Sequence, residues 1–180
     1  MPQPLGPLAH DVAELLSRFQ RKIVFAESCT AGLISATLAR VPGASNFHCG
    51  SAVVYRLDTK TRWLGVSRTT LHDHGAVSEA IAIEMALGAL AHTPEADLAA
   101  AITGHLGPNA PDHQDGLIYI AIAVRNKPCQ VNEYRLPKID VTGAPLGFPG
   151  ESEREQRQWA AVELVFTQII STIRAGDYCG

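Results

Sequence analysis

Aromatic side chains are scarce in this 180-residue chain, 6% of the total, and charge is thin as well, with Asp, Glu, Lys and Arg making up 18%. The 15 basic residues are scattered and outnumbered by 18 acidic ones, a formal net charge of -3, so the sequence lacks the basic stripe that a phosphate backbone requires. Nucleic acid is not an expected partner, and a small molecule takes its place. The four cysteines, Cys29, Cys49, Cys129 and Cys179, lie far apart without a CxxC pair, which argues against a disulfide framework. No basic head followed by an apolar stretch opens the chain, and the longest apolar runs, ADLAAAIT and LIYIAIAV, are about half of what a bilayer span needs. The expectation is a cytoplasmic protein with reduced thiols and no membrane segment. The histidines show no HExxH or comparable spacing, so no metal is expected, nor is a cofactor; no G-x-S-x-G elbow occurs to mark a histidine-based triad.

What is present is apolar and periodic. A chain of this length buries about 70% of the surface it exposes when unfolded, and residues 1–180 read as a single domain without repeats or linkers. Residues 7–19 place Leu8, Val12, Leu15, Leu16 and Phe19 on one helical stripe. KIVFA, residues 22–26, reads as a strand, after which Leu33, Ile34, Thr37, Leu38 and Val41 repeat at helical spacing until Pro42-Gly43. A second strand is predicted within residues 47–56 and a short helix around Thr59 to Leu64. Ser78 and Glu79 suit the start of a helix whose Ile81, Met85 and Leu90 face inward. Strands follow at 98–103, 117–124 and 130–136, and a closing helix at 153–173. Helices alternating with near-continuously apolar strands argue a three-layer α/β/α sandwich around a mostly parallel or mixed sheet of about five strands. Ligands in such folds collect beyond the carboxyl ends of the strands, where ESCT (residues 27–30) and Thr103-Gly104 fall. Two long Gly/Pro-rich connections, 104–116 and 137–152, are expected to be functional loops.

ESCTAG crowds a carboxylate, two hydroxyls and a thiol between a strand and a helix. Ser28 or Cys29 there could be a nucleophile near the positive end of a helix dipole; equally, Ser28 or Thr30 could be no more than an N-cap. A hydroxyl nucleophile needs a base, and no histidine stands in an evident triad arrangement. Among the four lysines, Lys60 is the one placed beside the expected site edge, although a lysine at a helix start is ordinarily exposed.

The segments AESCTAGLISATLARVPGAS, VVYRLDTK, LGV, HGAVSEAIAIEMALGAL and AITGHLGP, in this order, closely resemble the C-terminal domain of the competence/damage-inducible CinA family, the nicotinamide-nucleotide amidases, over about residues 8–125. The resemblance implies hydrolysis of nicotinamide mononucleotide to nicotinate mononucleotide and ammonia in pyridine nucleotide salvage. It places the nucleophile at Ser28, its base at Lys60 and Tyr55 nearby, with Glu27, Cys29, Thr30, Thr103 and Gly104 around the substrate. Arg154 or Arg157, at the start of the last helix, would meet the phosphate, where guanidinium and helix N-terminus act together. By analogy a homo-oligomer is expected. The chain departs from the family pattern at Ala31, where relatives commonly have glycine. It departs again at His113, Gln114 and Asp115, which stand where relatives usually have Lys-Pro. As a good helix residue, Ala31 is expected to be tolerated.

Overall fold

In the computed structural model, residues 5–138 and 152–175 are described. Helix α1 (Leu5–Arg18) leads into strand β1 (Ile23–Glu27), short helix α2 (Leu33–Leu38) and strand β2 (His48–Val53). Helices α3 (Leu57–Leu64), α4 (Arg68–His74) and α5 (Glu79–His92) precede strand β3 (Leu98–Gly104). A hairpin of β4 (Leu117–Val124) and β5 (Gln130–Arg135) and the long helix α6 (Glu153–Arg174) complete the order. The elements match the expected ones to within a few residues at their ends, apart from α4, for which the sequence offered no apolar stripe. Of the two long connections, 139–151 lies outside the described residues, as do Gly150 and Cys179.

The sheet is mixed, in the order β2-β1-β3-β4-β5, with β2, β1 and β3 parallel and β4 and β5 antiparallel to their neighbours. β1 runs to β2 on one side, and the chain then crosses back to place β3 on the other, so order reverses at the carboxyl end of β1. That crevice is where such folds bind ligands. Because β4 is antiparallel to β3, with Gly104 opposite Ile118, the 105–116 connection returns to the same end.

The two faces differ in side-chain size. Phe25, Ile102, Ile118, Ile120 and Ile122 fill the face covered by α1, α2 and α6. Ala26, Ala99, Ala101, Ala121 and Ala123 line the other, and their small size lets the alanine-rich α5 lie close to the sheet. The central strands are apolar on both faces as expected; β2 and β5 are edges, half exposed, and carry polar residues that a buried strand could not. Helix α3 rests on α5 with unusual intimacy: a Cβ added at Gly88 would lie 2.0 Å from the Leu64 carbonyl oxygen.

Candidate active site

Strand β1 ends on a buried carboxylate. Glu27 accepts hydrogen bonds from the Thr30 hydroxyl (2.8 Å), the Ser51 hydroxyl (3.0 Å) and the amides of Gly32 (3.0 Å), Ile34 (3.1 Å) and Ser35 (3.0 Å). It thus caps α2 from the preceding strand and pins that turn to β2. Neither Ser28 nor Thr30 is the N-cap; that place belongs to Gly32, with φ 99°. Ala31 is not helical either. Its φ of 53° is left-handed, where a glycine would be unstrained, so its tolerance does not rest on helix propensity.

Ser28 follows, half-buried, its amide donating to the Ile102 carbonyl of β3 (3.1 Å) and its side chain on the wall of a cavity of about 630 Å³. Lys60, from the first turns of α3, lines the same cavity. It is 2% exposed. Among the described residues the Met85 sulfur, at 3.2 Å, is the one acceptor its amine meets. A thioether is a weak acceptor, and burial lowers the Lys60 pKa from an ordinary 10.5 to about 8. Cys29 lines the cavity too but is 3% exposed, and burial pushes its thiol up to about 12 despite nearby Lys60. At neutral pH it is a thiol and a poor nucleophile. Gln158 of α6 donates to the Cys29 carbonyl at 3.0 Å, tying the turn to the last helix.

Opposite, Thr103 donates to the Ala76 carbonyl (2.8 Å), and Gly104 has no room for a side chain, since a Cβ would lie 2.5 Å from Ile118 Cγ2. At the rim Arg154 spans two walls, Nη1 on the Gly107 carbonyl and Nη2 on the Tyr55 hydroxyl, each at 2.7 Å. Tyr55 is 55% exposed.

The cavity therefore gathers Ser28, Cys29, Tyr55, Lys60, Thr103, Gly104 and Arg154. Three expected substrate contacts do not line it. Glu27 and Thr30 are buried and bonded to each other within the turn. Arg157 is fully buried with every nitrogen engaged: Nε to the Pro137 carbonyl (3.0 Å), Nη1 and Nη2 to Asp115 (2.8 and 3.0 Å), and Nη2 also to Glu153 (3.1 Å). Missed from sequence were Met85, read only as a core residue, and the wall made by Asp58, His105 and Asn109. The helical spacing of Met85 gave no sign that its sulfur meets an amine.

Residues 6–142 match the model of the CinA C-terminal domain. The chain belongs to this family. A CinA-like protein of Leptospira borgpetersenii serovar Hardjo-bovis strain L550 is 36% identical over 165 residues, covering 88% of this chain and 37% of that protein. A CinA-like protein of Mycobacterium tuberculosis is 41% identical over 128 residues, covering 70% of this chain and 29% of the relative. The chain spans 28% to 37% of the length of the curated relatives it matches. Solved CinA structures match it along almost their whole length. A CinA superfamily protein from Klebsiella pneumoniae 700603 superposes with a TM-score of 0.84 at 26% identity, covering 96% of this chain and 99% of that one. The competence/damage inducible protein CihA from Agrobacterium tumefaciens gives 0.78 at 30% identity, covering 92% and 95%. The mixed five-stranded α/β architecture is the one these CinA structures have. No helix among the described residues is long and apolar enough to cross a membrane.

Proposed function

We propose that this CinA-family chain is an amidohydrolase that deamidates nicotinamide mononucleotide, with Ser28 as nucleophile and Lys60 as its base. The observation that carries the reading is the Lys60 amine, buried on the cavity that Ser28 also lines, with no carboxylate partner among the described residues and with its pKa lowered to about 8, so that a useful fraction is unprotonated near neutral pH. Ser28 Oγ attacks the carboxamide carbon while its proton passes to Lys60, which swings off the Met85 sulfur at little cost. Lys60 then returns the proton to the departing ammonia, and water, deprotonated by the same amine, hydrolyses the acyl-enzyme. The amides of Ser28, Ala31, Gly32, Ile34 and Ser35 are already spent on protein acceptors, which narrows the oxyanion donors to Cys29 and Thr30. Of the two candidate arginines, Arg154 reaches the cavity and is the proposed phosphate partner.

Ammonia release from nicotinamide mononucleotide tests this reading. Ser28→Ala and Lys60→Met should each lower the rate by at least about 10², while Cys29→Ala retains most of it. An inactive wild type overturns the reading, and loss confined to Cys29→Ala moves the nucleophile to the thiol.

A further inference from the structure

Asp115 and Arg157 lie outside the cavity, yet they stand directly behind one of its walls. A Cβ on Gly107 would be 3.0 Å from Arg157 Nη1 and 3.3 Å from Asp115 Oδ1, so the paired ions fill the space under that residue. The Gly107 carbonyl, in turn, is where Arg154 places Nη1. The connection is also held at its far end, where Arg135 of β5 donates to the carbonyls of Asp115 (3.1 Å) and His113 (3.0 Å). Arg157 keeps the Asp115 carboxyl below the usual range, so the pair is ionised at neutral pH. A bidentate guanidinium-carboxylate pair fixes orientation as well as distance.

We infer that the Asp115–Arg157 ion pair positions Arg154. By bracing Gly107 from behind, it fixes the carbonyl on which the Arg154 guanidinium rests, and so sets affinity for the anionic end of the substrate without touching it. The inference builds on the mononucleotide reading. Asp115→Asn preserves shape but turns an N-H toward an arginine N-H. Calorimetric titration with nicotinate mononucleotide should show Arg154→Gln binding at least about tenfold more weakly and Asp115→Asn about threefold to tenfold more weakly. The double variant should bind no more weakly than Arg154→Gln alone. In turnover, Asp115→Asn should raise KM by that same factor and change kcat less than about twofold. Wild-type affinity in Asp115→Asn, or effects that multiply in the double variant, overturns the inference. Should Asp115→Asn fail to fold, Arg157→Lys, which keeps the charge but cannot span both carboxylate oxygens, is read by the same criteria. If the wild type binds no mononucleotide, the functional reading falls, and a crystal structure of the substituted protein decides the positioning question. An Arg154 Nη1 still within hydrogen-bond distance of the Gly107 oxygen refutes it, and a displaced guanidinium supports it.

Discussion

Two cations are buried at the same end of this molecule, and the protein treats them in opposite ways. Arg157 on α6 has a partner for each nitrogen, and Asp115 raises its pKa further above the ordinary value. Lys60 on α3, just as deeply buried, faces a sulfur. Burial penalises charge in both cases; only where acceptors answer it does the proton stay fixed. Saturation makes a cation part of the architecture, and the lack of it leaves a group whose proton can move.

The sharpest way to break the comparison is to exchange each cation for the same apolar side chain. Arg157→Met should lower unfolding free energy by about 4 kcal/mol in urea titrations, because Asp115 and Glu153 lose their buried counter-charge. Lys60→Met should go the other way, gaining about 2 kcal/mol at pH 7 while hydrolysis falls by 10² or more, about 2.7 kcal/mol in the barrier. If both variants lose stability, the two environments are not opposites. A pH series refines the same point. Since the Lys60 pKa is lowered from 10.5 to about 8, the unfolded chain holds a proton between those values that the folded one has released, so wild-type stability relative to Lys60→Met should rise with pH across that window and be flat below it. Over the same range kcat/KM should climb through about pH 8 and level off as the amine becomes neutral. The smallest effect belongs to the turn: Ala31→Gly, relieving a left-handed φ of 53°, should change stability by up to about 1 kcal/mol in the stabilising direction, measured by thermal melts.

Much of the fold could be read in the sequence because periodicity survives folding. The runs at β1, β3 and β4 are apolar on both faces and could only be central strands, and the stripe of α1 pointed inward as drawn. Helix α4 escaped because its seven residues, RTTLHDH, offer Leu71 alone as an apolar side chain, and its Ser67 cap, accepting from the Thr70 amide, was the signal to use. The site was legible to the extent that its residues occur in short blocks. Ser28 and Lys60 could be named, but composition speaks for exposure at any lysine, and only the packing of α3 on α5 buries this one. Glu27 and Arg157 were recognisable as charges and not as struts, because their partners come from elsewhere: Ser51 from β2 for the one, Asp115, 42 positions away, for the other. Ala31 was accepted for a reason the backbone does not support, since a helix that begins at Leu33 leaves it in the turn.

Gly88 lets the backbone of α3 touch α5 one turn beyond Met85, where the Lys60 amine is lodged. The width of that seam is therefore a tuning screw for acidity. Any side chain larger than hydrogen at Gly88 would pry the two helices apart, admit water around the amine and return it toward the basicity of a surface lysine, so that a mute position one turn from Met85 governs the pH at which the protein could work.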